Sequence, residues 1–219
     1  MTTGPRSDRS RVRRLPKRAS YDRETIDAVL DAGLIAHVGI VDQGMPVVVP
    51  MAYARRGDEI LLHGSSASRA MKALAGGADA CVVVTHLDGI VVARSAFNSS
   101  MNYRSVVLFG KARAIADEEA KRAALDALVD HLIPGRVAEV RAPTPEELKV
   151  TTVVALPIDE ASAKVRTGPP QDDEADYALP VWGGVVPLHL AAGEPVADGR
   201  SAPEIEVPSS VVTLRARHR

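Results

Sequence analysis

Short apolar runs of strand length, separated by turn signals and by only a few helix-like stretches, predict an α+β chain. The expected architecture is a mostly antiparallel, six- to seven-stranded split β-barrel with short flanking helices. Two observations lead there. The connections Asp42-Gln43-Gly44 and Arg55-Arg56-Gly57-Asp58 suit tight hairpins and are far too short for the crossover helices of a parallel sheet. Closing or splitting such a meander into a barrel hides edges that an open sheet would expose.

The first element is a helix over 21–33, in which Ile26, Val29 and Leu30 share one face, Asp22 suits the start and Gly33 the stop. Strands follow at 34–41, 46–53 and 59–63. A short helix is expected over 66–75, ended by Gly76-Gly77. Residues 80–85 and 90–95 read as a strand pair turning at Asp88-Gly89. Residues 103–115 read as one long strand, where Gly110 marks a bulge or a close backbone approach. Asp117 caps the strongest helix, 118–132, rich in Ala and Leu and stopped by Pro134-Gly135. Thr144-Pro145-Glu146-Glu147 has the hydroxyl-proline-acid pattern of another helix start. The last clear strands are 150–156 and 162–166. Beyond Gly168 the chain is rich in proline and acids, with one apolar island at 181–188. The expected organisation is a basic N-terminal tail (1–18), one domain (19–190) and an extended or disordered C-terminal tail (191–219).

Composition excludes several function classes. With 219 residues, 46% of them hydrophobic, the chain can bury a core without disulfides or structural zinc. Its single cysteine, Cys81, lies in the apolar run Cys81-Val82-Val83-Val84 and reads as a small core residue. No apolar stretch reaches the roughly 20 residues of a membrane helix, so a cytoplasmic protein with no membrane partner is expected. The formal net charge of -1 hides an asymmetry. Residues 6–18 hold seven Arg or Lys against one Asp, and residues 215–219 hold three Arg. Setting these aside leaves seventeen basic and twenty-seven acidic residues in the body. The basic ends read as solvated tails or as arms docked on the acidic body. They lack the interleaved aromatics of a nucleic-acid binder, so no nucleic-acid partner is expected.

Three segments carry chemistry. In Leu61-Leu62-His63-Gly64-Ser65-Ser66-Ala67-Ser68-Arg69-Ala70-Met71-Lys72 a strand enters a hydroxyl-rich loop and then a helix start. Amides, the Ser65 and Ser68 hydroxyls, and the Arg69 and Lys72 cations could together receive a phosphate. A serine-capped surface helix with two solvated cations is the plainer alternative. His63 closes the strand, and a histidine satisfied by a backbone carbonyl is an equal reading. The second segment, Arg94 to Ser105, is a polar loop containing Phe97, Asn98, Ser99 and Tyr103, and it suits a ligand rim. The third, Trp182-Gly183-Gly184, frees the face of the only tryptophan for packing on protein or on a planar ring. No histidine or cysteine falls into ligand spacing, so no metal site is expected.

These segments occur together with Phe109-Gly110-Lys111-Ala112, Glu147-Leu148-Lys149, Ala163 to Pro170 and Val181 to Leu188, in an order and at separations that form a pattern. Over residues 11–190 the chain resembles the pyridoxamine 5′-phosphate oxidase-related flavin-binding proteins, in particular the subgroup of nitroimidazole-resistance reductases. The resemblance implies a split-barrel homodimer with one FMN at each subunit interface. It places the FMN phosphate on His63, Gly64, Ser65, Ser68, Arg69 and Lys72. It lays the isoalloxazine edge along the backbone of Val48, Val49, Pro50 and Met51, with Asn98, Ser99 and Trp182 beside the ring or the substrate. His63 and Tyr103 are the candidate catalytic residues, for proton delivery.

The chain also departs from the family. Members often carry a histidine in the stretch where this sequence has Asn98, which counts against a haem ligand there. The acidic run Gln171-Asp172-Asp173-Glu174 should repel a phosphorylated vitamin B6 substrate. The expected function is therefore an FMN-dependent oxidoreductase acting on a small organic molecule, and not pyridoxamine phosphate oxidase itself. A non-catalytic flavin store or sensor, or a split barrel holding haem or a deazaflavin, are the alternatives.

Overall fold

The structure, a computed structural model, describes residues 4–202 and 204–218. Its elements in chain order are β1 (Ala19–Ser20), α1 (Arg23–Ala32), β2 (Ile35–Asp42), β3 (Met45–Arg56), β4 (Glu59–Ser65), α2 (Arg69–Ala75), β5 (Asp79–Val92), β6 (Ser100–Lys111), β7 (Arg113–Ala114), α3 (Glu118–Leu132), α4 (Pro145–Lys149), β8 (Thr151–Pro157), β9 (Glu160–Arg166), β10 (Gly184–Pro187) and α5 (Ser209–Arg217). The fold is the expected α+β split barrel with mostly antiparallel strands, but it has ten strands among the described residues rather than six or seven. The extra strands are short: β1 and β7 have two residues each, too few to leave a periodic signal. Two compact units share these elements.

One unit comprises residues up to Gly33, Cys81–Phe109 and Asp159–His189. Its strands run in the order β1-β9-β6-β5, with β10 added to β5. The helix α1 begins at its expected cap, where the Asp22 carboxylate accepts from the Thr25 amide, and buries Ile26, Val29 and Leu30. Each such side chain contributes roughly 1.5–3 kcal/mol on burial. The turn expected at Asp88-Gly89 is absent. β5 runs straight through, with Gly89 paired to Pro187 of β10. Glycine is needed here for close approach rather than for turning, since a Cβ on Gly89 would lie 2.9 Å from the Val186 carbonyl oxygen. Asp88 accepts a forked pair of hydrogen bonds from Arg104 at 2.8 and 3.0 Å. The basic N-terminal segment is not a free tail, because Arg6 pairs with Asp159 and Arg9 with Glu160. The expected docking on acidic residues is the reading that matches.

The other unit comprises Leu34–Ala80, Gly110–Ile158 and the residues from Leu190 onward. Its strands run β2-β3-β4-β8-β7, all antiparallel. The β2–β3 turn uses left-handed residues Gln43 and Gly44, as a two-residue hairpin demands. The helix α3 starts at Asp117, whose carboxylate accepts from the Ala120 amide at 2.8 Å, a cap worth about 1 kcal/mol. It buries Ala124 and Leu128 against Ala54, Leu61, Val153 and Ala155. The Lys121 ammonium donates to the Leu148 and Thr151 carbonyls at 3.0 and 2.9 Å, fixing α3 against α4 and β8. The long strand expected over 103–115 is interrupted at Ala112, and Gly110 lets Leu156 approach, at 3.2 Å from where a Cβ would stand. The C-terminal segment expected to be extended or disordered contains α5. Ser209 and Ser210 hold Glu139, and the Arg217 guanidinium donates to the His131 carbonyl. These hydroxyls and the Ser210 amide hold the Glu139 carboxyl down at about 2. Among the described residues no helix is long and apolar enough to cross a membrane.

Candidate functional site

The hydroxyl-rich loop between β4 and α2 is shaped by its own backbone. The Ser66 amide donates to the Val150 carbonyl and the Ser68 amide to the Ser65 carbonyl, each at 2.9 Å. Ser68 caps α2 by accepting from the Met71 amide, and the Ser65 hydroxyl oxygen accepts from the Ala67 amide. Both hydroxyls thus serve as acceptors and keep their own hydrogens to donate. The helix is shorter than expected, since residues 66–68 form the turn and cap rather than its first turn. Arg69 is 79% exposed at its side chain and ion-paired with Asp42 at 3.2 Å. Lys72 is exposed on the next turn. Gly64 is explained by packing: a Cβ there would meet Met71 Cγ at 2.8 Å, so its bare face admits α2.

His63 lies on the other face of β4 from Gly64, by the alternation of a strand. It shares its face with Leu61 and lines a cleft of about 310 Å³ with Leu125, Leu128, Val129 and Leu132 of α3 and Pro143. Its Nδ1 is buried with no hydrogen-bond partner, so the reading of a histidine satisfied by a carbonyl does not hold. Burial pushes its pKa below the ordinary 6.5, leaving a neutral ring. The acid at the cleft, Glu147, is held at about 2 chiefly by its fork with Arg141. The cleft therefore offers mostly apolar walls, one neutral imidazole and, at Glu147, a carboxylate already forked to Arg141.

In the same unit, Val48 and Pro50 are exposed and Val49 and Met51 half-buried along β3. The remaining candidates belong to the other unit. The Ser99 hydroxyl donates to the Ser95 carbonyl and accepts from the Ala93 amide, and the Asn98 amide donates to Ser95 Oγ. These bonds shape the loop and leave Phe97 at its tip 94% exposed. Tyr103 is half-buried on β6, paired in register with Arg166. The ring of Trp182, largely exposed, folds over Gly184, where a Cβ would meet it at 2.6 Å. The structure thus groups Val48–Met51 with the 63–72 segment in one unit, and Asn98, Ser99, Tyr103 and Trp182 in the other.

The acidic run is less repellent than its sequence. The Asp172 carboxylate is buried and takes both the amide and the guanidinium of Arg94 at 2.9 Å. Cys81 is half-buried in β5, and burial pushes its thiol up, so it stays protonated and unreactive. No cluster of three metal-ligating side chains occurs among the described residues. What the sequence concealed is the α3 wall of the His63 cleft. Leu125, Leu128, Val129 and Leu132 read there simply as the apolar face of a good helix.

With this fold and these residues in place, residues 22–165 match the family of pyridoxamine 5′-phosphate oxidase. The chain belongs to that family. Within the pyridoxamine 5′-phosphate oxidase fold it is similar to flavocytochrome Anf3 from Azotobacter vinelandii, at 46% identity and a TM-score of 0.92, covering 97% of this chain and 99% of that one. It is similar at 46% identity and a TM-score of 0.88 to the FAD and haem binding protein from Mycobacterium smegmatis, over 90% of this chain and 97% of the other. A candidate 5-nitroimidazole antibiotic resistance protein from Bacteroides thetaiotaomicron matches at 25% identity and a TM-score of 0.57, over 67% and 86% of the two chains. No curated protein matches the chain.

Proposed function

We propose that the protein binds a flavin and a haem and transfers electrons between them and a small-molecule partner. The observation that carries the haem half is His63. A neutral imidazole in the wall of an apolar cleft, with its buried Nδ1 left without a hydrogen-bond partner, fits an iron ligand. The chain's likeness, over almost its whole length, to a flavocytochrome and to a protein that binds FAD and haem supports the same reading. Asn98, where family members often carry a histidine, then has no bearing on haem: the candidate ligand stands at 63.

For the flavin, Ser65, Ser68, Arg69 and Lys72 supply hydroxyl and cationic donors to a phosphate. The Arg69–Asp42 pair is exposed and weak, so Arg69 exchanges partners at little cost. The β3 backbone from Val48 to Met51 would meet the ring edge, and a second copy of the chain would supply Asn98, Ser99, Tyr103 and Trp182 as further lining. When bound, a flavin supplies two-electron chemistry and a haem one-electron chemistry. With its pKa depressed by burial, His63 is a neutral imidazole at neutral pH and a poor acid, so of the two expected proton donors Tyr103 keeps the role. FMN is the minimal flavin that these residues would hold. The exposed apolar residues of β2 and β3 support a homodimer.

One absorbance spectrum of the purified protein, before and after dithionite, tests the reading. Flavin bands that bleach together with a shifting Soret band are expected, and His63→Ala should lose the Soret band while keeping the flavin. Protein that is colourless and takes up neither flavin nor hemin overturns it. Flavin without haem would favour the second reading, an FMN-dependent reductase of a small organic molecule, which the likeness to the nitroimidazole-resistance protein favours.

A further inference from the structure

A second cavity lies wholly within the unit that contains β9 and uses none of the residues assigned to the cofactors. It measures about 630 Å³, and one wall is the single helical turn Pro16–Arg18 while the other is the end of β9 and the residues after it. Three cations line it: Lys17 and Arg18 on the first wall, Arg166 on the second. Arg166 is only 8% exposed, and its guanidinium donates to the Oδ1 of Asn102, a neutral amide. Asn102 is itself fixed, its Nδ2 donating to the Gly168 carbonyl at 3.1 Å. Asp172, which follows the lining residue Gln171, is committed to Arg94. Among the described residues no carboxylate is ion-paired with Arg166, Arg18 or Lys17.

A buried guanidinium held only by a neutral amide is costly to maintain, and a second arginine nearby adds repulsion. Burial first, and Arg18 next, hold the pKa of Arg166 below its ordinary value. An anion entering the cavity relieves both costs. The lining says which kind of anion. A compact phosphate is typically cradled by converging backbone N–H groups, at a helix start or in a nest of successive amides. Here Pro16 and Pro169 have no N–H to offer, and the positive charge stands on side chains of two separate segments. Cations divided between two walls suit a ligand whose own negative charges are divided. Each guanidinium is a planar fork that can take one carboxylate by paired hydrogen bonds, and Lys17 adds a point charge. The volume falls in the size range of sites for whole organic ligands and is large for a single inorganic ion. Leu15, Val165 and the two prolines supply apolar wall for a carbon body.

We propose that this cavity binds a small organic dicarboxylate, with one carboxylate on Arg166 and the other on Arg18 and Lys17 across the cavity. The carbon body lies against Leu15 and Val165. The site stands on the residues of one unit and is independent of the cofactor the protein holds.

The test is a calorimetric titration of the full-length protein and of Lys17→Ala/Arg18→Ala, a double substitution at solvent-accessible positions that spares the buried Arg166. The probes are adipate and phthalate, a flexible and a rigid dicarboxylate, with hexanoate and inorganic phosphate for comparison. At least one dicarboxylate should bind the wild type about tenfold or more tighter than either hexanoate or phosphate, and the double variant should lose that margin. Absorbance spectra of the two proteins should be the same, because the cations serve no cofactor. Three results overturn the proposal: neither dicarboxylate binding, hexanoate or phosphate binding as tightly, or undiminished dicarboxylate affinity in the double variant. Loss of a bound cofactor along with the dicarboxylate would assign the cations to that cofactor and overturn it as well. Protein that carries no cofactor leaves the titration intact, so failure of the flavin and haem reading is told apart from failure of this one.

Discussion

His63 shows how burial changes what a residue can do without changing its identity. In the sequence it is a polar residue ending a strand, equally compatible with a phosphate loop, a proton donor or a satisfied core histidine. The alternation of β4 turns it away from Gly64 and towards α3, where burial lowers its pKa from 6.5. That has a thermodynamic consequence. The unfolded chain takes up a proton near 6.5, whereas the folded chain resists until a lower pH. Stability from this site is therefore complete above pH 6.5 and is lost as the pH falls through that value towards the folded pKa. His63→Leu removes both the titration and the unpaired Nδ1. Urea unfolding midpoints measured above and below pH 6.5 should fall less for His63→Leu than for the wild type. Identical pH slopes would mean that His63 titrates as it does in the unfolded chain. Gly64 and Ser68 were also visible in the sequence, but as parts of a phosphate loop. Their structural duties, admitting Met71 and capping α2, depend on contacts that spacing alone does not reveal.

At the scale of elements, legibility followed how locally each element is determined. α1, α3 and α4 carry their own caps at Asp22, Asp117 and Thr144, and the β2–β3 and β3–β4 turns carry their own glycines, so sequence placed them all. α5 was invisible because no side chain caps its Pro208 start and Val211, Val212 and Thr213 are poor helix formers. It is held from outside, by Glu139 and the His131 carbonyl. β5 was misread because Asp88-Gly89 is a strong turn signal, and only the arrival of β10 ninety-odd residues later explains the glycine. Gly89→Ala tests that explanation. Its Cβ would press on backbone, which cannot yield as a flexible side chain can. β10 should detach from β5, and because Trp182 is the sole tryptophan and sits two residues before β10, its fluorescence emission should shift. Faster proteolysis between 175 and 190 should accompany the shift. An unchanged emission spectrum would show that β10 stays paired despite the Cβ.

At the scale of the whole molecule, the near-neutral net charge conceals separate tasks. The N-terminal arginines that composition marks as a tail are partly spent on Asp159 and Glu160, while Lys17 and Arg18 line a cavity. The apolar surface is informative in the same way. Val41, Met45 and Val48 on the β2–β3 hairpin are each more than 60% exposed, and pairing brings Val41 and Met45 to the hairpin end. Apolar side chains gathered on one hairpin mark an interaction surface more often than solvent-facing decoration. A second copy of the chain is the occupant the family resemblance implies, and a homodimer places the same hairpin on both subunits. Light scattering should then give twice the 23.2 kDa chain mass for the wild type. Val41→Glu/Met45→Glu would bring carboxylates into a dry interface, at a cost of several kcal/mol per buried charge if they stayed ionised. The variant should scatter as a monomer while keeping its circular dichroism spectrum, because both side chains are already solvated within one chain. If the flavin sits at the interface, its affinity falls with the mass. A wild-type mass of one chain would overturn the dimer, and a monomeric variant with undiminished flavin would separate dimerisation from cofactor binding.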